Sequence, residues 1–179
     1  MHAALETGDA NSLRALEEMA GSHRLSAERV LGWLKSSELM SASDSVWSEL
    51  AFEVPIGREV LVGSIDRLVK RGDHWQLIDF KVTEKQKSEF ELVEAYLTQL
   101  ELYSYAIGRL EPGALAIDAY LVNLSPGKIT EIRVPLHGID PEVLAQQAGR
   151  IVEGEAGRPR PSAHCRVCDF KRVCDAAEI

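Results

Sequence analysis

The chain has 179 residues, of which 45% are hydrophobic and 27% are charged, and its formal net charge is −8. One domain commonly spans about 100 to 200 residues, and this composition excludes collagen-like and disordered classes. No apolar run approaches the roughly 18 residues of a membrane span, and the N-terminus lacks the features of a secretory signal. The acidic balance argues against a general nucleic-acid coat, although carboxylates that bind metal would leave local DNA binding open. We therefore expect a soluble, cytoplasmic chain with no membrane partner.

The N-terminal part is predicted to form two helices and then an extended segment. Leucines and a methionine recur loosely at helical spacing over residues 2–19, and Ser26 is placed to cap a second helix. The apolar stripe of that helix consists of Val30, Leu31, Trp33 and Leu34. A polar stretch follows, and extended chain is expected over residues 47–54.

The middle of the sequence predicts a β-hairpin. Residues 60–70 and 74–82 are rich in β-branched and aromatic side chains, and Gly72-Asp73 between them suits a two-residue turn. Both faces of the hairpin carry apolar residues: Leu68, Trp75 and Leu77 on one face, and Ile65, Val69, Ile78 and Phe80 on the other. A hairpin that is apolar on both faces is expected to be central and buried.

The turn also fixes which residues of the hairpin face each other. The predicted register pairs Arg71 with His74, Leu68 with Leu77, Asp66 with Asp79 and Ser64 with Lys81. Directly opposed residues have Cβ atoms about 4.5 to 5.5 Å apart, and the period of two places Asp79 and Lys81 on one face. Two buried carboxylates at that distance repel unless one is protonated or a cation lies between them. Mg²⁺ and Mn²⁺ prefer such oxygen ligands; the alternative is that Asp66 ends its strand early and Asp79 forms a surface ion pair with Lys81.

Helical spacing resumes over residues 89–110 and includes Gln99 and Tyr103, one turn apart. Two further strands are expected over 114–124 and 128–135, and a last helix over 142–153. A Gly/Pro/Arg-rich link then leads to the cysteines. The domain prediction is a core over residues 1–157 with a C-terminal segment, 158–179, packed on it.

These residues carry a family resemblance. Gly63-x-x-Asp66, followed by Asp79-Phe80-Lys81, resembles the core of the PD-(D/E)XK nuclease superfamily, and more closely the RecB-type nuclease domain of AddAB/RecB-like helicase-nucleases. Three other motifs of that branch occur in the same order: His2 of HAALE resembles the histidine of the first helix, Glu53-x-Pro55 an upstream acidic motif, and Gln99-x-x-x-Tyr103 the QxxxY helix motif. The resemblance extends from residue 2 to the cysteines.

The resemblance implies an α/β fold with a central mixed β-sheet flanked by helices, like that of restriction endonucleases. It implies that Mg²⁺ or Mn²⁺ is bound by His2, Asp66, Asp79 and the backbone carbonyl of Phe80. Asp66, Asp79, Lys81 and Glu53 become candidate catalytic residues, with Lys81 as the catalytic lysine, and Gln99 and Tyr103 would line the DNA path. From the residues alone, Gln99 and Tyr103 also suit ordinary helix packing, and Glu53 suits an edge strand. The glycine that precedes the histidine in the family has no counterpart, so we expect further protein upstream of Met1.

All three cysteines, Cys165, Cys168 and Cys174, lie near the C-terminus. This odd, tight cluster is a poor disulfide framework and favours metal ligation in a reducing compartment, with three structural thiols as the alternative. Thiolates bind Zn²⁺ or an iron–sulfur cluster. The spacing resembles part of the four-cysteine 4Fe-4S staple of AddB-type nucleases, whose first cysteine lies upstream. A fourth ligand outside this chain, His164 in a Cys₃His zinc site, or an empty site all stay open.

The leading functional hypothesis is a Mg²⁺- or Mn²⁺-dependent DNA nuclease, the nuclease module of a helicase-nuclease in double-strand-break repair. Its partners would be DNA and a helicase domain or subunit. Two alternatives stay open: a non-catalytic DNA-binding or assembly module that keeps the fold, and a stand-alone nuclease of the CRISPR adaptation type.

Overall fold

A computed structural model describes residues 27–41, 45–114 and 116–152. The predictions for residues 2–19, the Ser26 cap and the 158–179 segment concern residues outside these ranges. The described helices are α1 (Ala27–Ser36), a short 3₁₀ helix (Glu38–Met40), α2 (Glu89–Leu110) and α3 (Pro141–Val152). The described strands are β1 (Ser45–Ile56), β2 (Glu59–Arg71), β3 (His74–Val82), β4 (Ala116–Ser125) and β5 (Lys128–Val134).

The strands form one five-stranded sheet in the order β1-β2-β3-β4-β5. β2 pairs with β3 and β4 pairs with β5 in antiparallel fashion, whereas β3 and β4 run parallel. Helix α2 forms the crossover between the two parallel strands, as a parallel connection requires. The predicted α/β class with a central mixed sheet flanked by helices is therefore confirmed.

The described residues divide into two compact units. Those up to Pro55 and from Val60 to Asp140 form the first unit, which holds most of the sheet with α1 and α2. The turn Ile56–Glu59 and helix α3 belong to the second. Within the second unit, Gly57 has φ +63° and lies so close to α3 that an added Cβ would be 2.9 Å from the Cβ of Ala145.

The hairpin is central, as predicted, and its register is confirmed where pairing is recorded, from Arg67 opposite Ile78 to Arg71 opposite His74. Gly72 begins the turn with φ +59°, a conformation that glycine adopts at little cost. Pairing of β3 with β4 then runs along all of β3, with Asp79 beside Leu121. The strand that carries the candidate carboxylate thus has a neighbour on each side.

Two apolar clusters cover the two faces of the sheet. The α2-side cluster includes Phe52, Val54, Ile65, Leu68, Trp75, Leu77, Leu92, Leu100, Ile107 and Leu121. The α1-side cluster consists of Val30, Leu39, Val69, Ile78, Phe80, Val122 and Leu124. The expected place of Ile65 beside Val69 was wrong, because Ile65 packs with Leu68 on the α2 side. This difference from the predicted alternation occurs next to Asp66, whose side chain accepts a hydrogen bond from the backbone N–H of Phe80.

The helices follow local signals in the sequence. Ser88 begins α2 with a complete capping box, since its hydroxyl accepts from Glu91 N while the Glu91 carboxylate accepts from Ser88 N. The helix spans the residues predicted for it. In α1, Val30 is buried and Trp33 and Leu34 pack against the α1-side cluster. The polar stretch after α1, for which no element was predicted, forms the 3₁₀ helix and buries Leu39 in the same cluster.

Candidate active site

Asp79 is a carboxylate in the interior of the sheet. It lies on the α2-side face of β3, flanked by Leu77 along the strand and by Leu121 on β4, and none of its surface is exposed. A carboxylate in such surroundings loses its hydration and requires a positive partner. Lys81 supplies it, with Nζ 3.0 Å from Oδ1 and 2.8 Å from Oδ2. The carboxylate of this pair is therefore buried, unlike that of the surface ion pair that was the alternative.

Asp66 joins this site from the neighbouring strand. Its Oδ2 accepts a hydrogen bond of 2.7 Å from the backbone N–H of Phe80, the residue between Asp79 and Lys81. The carboxylate of Asp66 thus accepts from a backbone N–H of β3. This hydrogen bond holds the carboxylate beside the segment from Asp79 to Lys81. The hairpin brings together the three polar residues that its register predicted to be neighbours.

Tyr103 and Gln99 approach the same place from α2. Gln99 Nε2 donates to the Tyr103 hydroxyl over 2.7 Å. Burial raises the pKa of Tyr103; the Gln99 hydrogen bond opposes this rise, and the negative charges of Asp79 and Asp66 add to it. The charge of Lys81 lowers the pKa of Tyr103, so the hydroxyl lies within electrostatic range of all three hairpin residues. Because its oxygen accepts from Gln99, its own hydrogen is oriented away from that amide.

Gly63 has a steric role in placing Tyr103. A Cβ on Gly63 would lie 2.6 Å from Cζ of Phe52, so the Phe52 ring occupies the space that any side chain on Gly63 would need. Phe52 is buried and meets the Tyr103 ring edge-on, with centroids 5.8 Å apart. The first residue of the Gly63-x-x-Asp66 motif therefore makes room for the ring that supports Tyr103.

Tyr96 is a site residue that the sequence analysis missed. The Lys81 Nζ lies 4.6 Å from the centroid of its ring. Tyr96 precedes Gln99 by three residues and Tyr103 by seven, a spacing that puts all three on one helix face. That spacing was the signal in the sequence, but an aromatic residue in a helical stripe is also typical of simple core packing.

Glu53 is the described site prediction that the structure places away from this cluster. Glu53 is exposed and lies between Phe52 and Val54, both of which enter the α2-side cluster. Alternation along a strand therefore points Glu53 to the opposite face. Its catalytic role stays a prediction. His2, His164 and the three cysteines lie outside the described residues.

The donor set fits a hard divalent cation. Asp66, Asp79 and the carbonyl of Phe80 offer oxygen atoms only, and Mg²⁺ takes one or two carboxylates while keeping several waters. Among the described residues, no group of three or more His, Cys, Asp and Glu side chains is arranged to hold a metal ion. The hairpin thus brings two carboxylates, Asp66 and Asp79, to this place, and the Phe80 carbonyl stays a predicted ligand.

Comparisons with known proteins agree with this geometry. A family model described as the PD-(D/E)XK nuclease superfamily matches residues 2–175. The crystal structure of SSO0001 superposes with a TM-score of 0.58 at 16% identity, covering 95% of this chain and 72% of that one. A protein of Eubacterium rectale, named only as a candidate exonuclease, superposes with a TM-score of 0.56 at 12% identity, covering 95% and 71%. At these identities the structures show a shared fold. No curated protein matches.

In the parts of the chain that the structure describes, no helix has the length and apolar character to cross a bilayer.

Proposed function

Since the chain belongs to the PD-(D/E)XK nuclease superfamily, we propose that it is a metal-dependent nuclease that hydrolyses phosphodiester bonds in DNA. One observation carries the proposal. The Asp79–Lys81 ion pair, whose carboxylate is buried, is joined to Asp66 through the backbone of Phe80, and the charges of all three residues act on the pKa of Tyr103. A core built for stability alone gains little from burying such charges. A site that must hold a cation and a phosphate needs them.

Each residue has a definable role in this reaction. Asp66, Asp79 and the Phe80 carbonyl would hold a divalent cation, which when bound would polarise the phosphate and lower the pKa of a water. Lys81 keeps its ammonium on the Asp79 carboxylate, from where it can orient the attacking water or stabilise charge on the phosphate. Tyr103 is protonated at neutral pH, since its pKa is raised from an ordinary value of 10.0, so its hydroxyl can donate to a phosphate oxygen.

The finer assignment is also a proposal. We infer a RecB-type domain of a helicase-nuclease that acts in double-strand-break repair and recombination, with a helicase domain or subunit as partner. The ordered motifs around His2, the hairpin and Gln99-x-x-x-Tyr103 support it, as does the exonuclease name of one structural neighbour. In this proposal the cysteines of the 158–179 segment hold an iron–sulfur cluster or Zn²⁺ and tie that segment to the 1–157 core.

Cleavage of labelled single-stranded and duplex DNA with Mg²⁺ or Mn²⁺ tests the proposed activity. The parent chain is compared with Asp79→Ala and Lys81→Ala, and with Asp73→Ala as a control, because Asp73 is an exposed carboxylate in the turn of the same hairpin. Circular dichroism checks that each variant is folded. We expect cleavage by the parent and the control, and loss of cleavage in both site variants.

Other outcomes would redirect the proposal. If the parent binds DNA but does not cut it, even with native upstream residues added, the non-catalytic binding module is favoured. Cleavage that survives both site substitutions would place the chemistry elsewhere. Genomic context separates a helicase-nuclease module from a stand-alone nuclease of CRISPR adaptation, since only the first requires an upstream helicase.

A further inference from the structure

The Lys81 ammonium has two kinds of neighbour. On one side are the two oxygens of the Asp79 carboxylate, at 3.0 and 2.8 Å. On the other is the ring of Tyr96, 4.6 Å from Nζ to centroid. The Lys81 side chain is 18% exposed whereas that of Asp79 is 1% exposed. The Lys81 side chain is therefore partly exposed to water, whereas its counter-ion is not.

Asp79 alone does not fix this ammonium in one place. Lysine has a flexible four-carbon stem and three N–H donors that rotate freely. A partly hydrated ammonium could keep contact with the carboxylate while swinging toward solvent. An aromatic face opposes this movement because its quadrupole attracts the cation over the ring.

The ring also leaves the donors of Lys81 available. A π-face attracts the positive charge but takes no N–H bond of ordinary strength, whereas a polar side chain in the same position would. The Asp79 oxygens engage at most two of the three N–H groups. The remaining donor can be directed at a phosphate oxygen or a water.

We infer that Tyr96 is a positioning residue for Lys81: its ring clamps the ammonium against Asp79 and thereby sets where the lysine donates during cleavage. The catalytic half of this inference rests on the proposed nuclease function. Tyr96 lies on the same helix face as Gln99 and Tyr103, so α2 would position both the lysine and the tyrosine of the site. The ring, and not the hydroxyl, carries the effect.

Nuclear magnetic resonance tests the clamp without DNA or metal. A proton over an aromatic ring is shifted upfield, so the ε-methylene signal of Lys81 should be displaced; Lys81→Arg assigns it. We expect Tyr96→Leu to remove the displacement and Tyr96→Phe to keep it. Lys70 is an internal control, because its Nζ lies 5.0 Å from the centroid of Trp75 and should be unaffected.

Kinetics test the consequence for cleavage. We expect Tyr96→Leu to lower kcat about 3- to 30-fold, the range that a cation–π contact spans, with KM changed less than about twofold because in this proposal the ring acts through Lys81. Tyr96→Phe should restore the parent kcat. Tyr105→Leu is the matched control, since Tyr105 lies on the same helix but donates its hydroxyl to the Pro55 carbonyl.

Two results would overturn the inference. One is an identical Lys81 signal in the parent and in Tyr96→Leu. The other is a loss of kcat in Tyr96→Leu no larger than in the Tyr105→Leu control. A parent that cuts no DNA would defeat the proposed function, yet the resonance experiment would still decide whether Tyr96 fixes the ammonium.

Discussion

Two charged clusters lie at opposite ends of the parallel strands β3 and β4. At the start of the strands, His74 Nε2 is 2.8 Å from Asp118 Oδ2, and Arg133 on β5 donates to Asp118 Oδ1 over 2.5 Å. Toward the end of β3, Lys81 contacts both oxygens of Asp79. Both clusters centre on a carboxylate, yet their surroundings differ. The side chain of Asp118 is 20% exposed and that of Asp79 is 1% exposed.

The difference in burial separates a structural from a functional use of charge. The partners of Asp118 are exposed, Arg133 at 69% and His74 at 43%, and ion pairs in contact with solvent contribute about 0 to 1 kcal/mol and tolerate change. The Asp79 cluster has α2 above it, and removing one partner from a buried pair costs about 3 to 5 kcal/mol. Charged groups that a protein keeps buried at such a cost are typical of functional sites. Four experiments test this difference between the two clusters.

The largest expected effect concerns cleavage. Asp79→Asn keeps the size of the side chain but removes the charge that holds Lys81, and we expect at least a hundredfold loss of cleavage rate. Asp118→Asn makes the same chemical change at the exposed end, and its rate should stay within about twofold of the parent. Single-turnover cleavage of labelled DNA measures both. Equal losses in the two variants would contradict a functional difference between the ends.

The second experiment disturbs the packing that supports the buried end. Gly63→Ala would place a methyl group 2.6 Å from Cζ of Phe52, whose ring packs against Tyr103. We expect a destabilisation of about 1 to 3 kcal/mol, the usual cost of overpacking, together with slower cleavage. Urea unfolding measures the first effect.

Gly108→Ala is the matched control, because Gly108 lies in α2 with nothing within 4 Å of an added Cβ. It should be neutral or stabilising by up to about 1 kcal/mol, since alanine is the better helix former. A Gly63→Ala protein as stable and active as Gly108→Ala would remove the steric role assigned to Gly63.

The third experiment uses the titration of Tyr103. Its pKa is raised above the ordinary value of 10.0 by burial first, and by Asp79 and Asp66 against the opposing Gln99 hydrogen bond. The stability linked to this group is fully present below pH 10 and is lost as the pH rises through the folded-state pKa. Tyr103→Phe should therefore weaken the alkaline fall in unfolding free energy.

Absorbance at alkaline pH provides a direct readout. Tyr103→Phe should remove a late tyrosinate step from the titration. Asp79→Asn removes the negative charge of Asp79 and should move that step to lower pH. No change in the late step in either variant would show that Tyr103 does not sense the buried carboxylate.

Local patterns in the sequence predicted most of the fold. Alternation and the Gly72-Asp73 dipeptide predicted β2, β3 and their register, and helical spacing predicted α2 over its full length, which the structure shows to begin with a Ser88 capping box. These signals are local, because turn geometry fixes register and a capping box fixes a helix start. The 3₁₀ helix after α1 was not predicted, because it has three residues and buries only the middle one, Leu39.

The candidate site was predictable only in part. Spacing placed Asp66, Asp79 and Lys81 together because they lie on one hairpin. The role of Tyr96 was not predicted, because its contact with Lys81 depends on how α2 packs on the sheet, and no local pattern specifies that packing. Strand alternation points Glu53 away from the cluster of Phe52 and Val54, and which face of β1 meets α2 depends on long-range packing.

The smallest expected effect is at the exposed end. Burial alone would raise the pKa of Asp118, but hydrogen bonds from Arg133 and His74 outweigh it, and the folded-state pKa lies below the ordinary 3.8. The stability from a lowered pKa is present above pH 3.8 and is lost as the pH falls through the folded-state pKa. Asp118→Asn should therefore be less stable than the parent at neutral pH, by less than about 1 kcal/mol because Arg133 and His74 are solvated.

That difference should shrink as the pH falls below about 4 and through the lowered folded-state pKa, where the parent also loses the charge of Asp118. Urea unfolding of the parent, Asp118→Asn and Asp73→Asn at pH 6 and pH 3 measures it, with the exposed turn carboxylate as control. Salt sharpens the test, since 1 M NaCl screens exposed pairs over about 3 Å and should reduce the Asp118→Asn effect at neutral pH. An effect of Asp118→Asn that is large and insensitive to salt would mean that this end of the strands is as shielded as the other, and the contrast between the two clusters would fail.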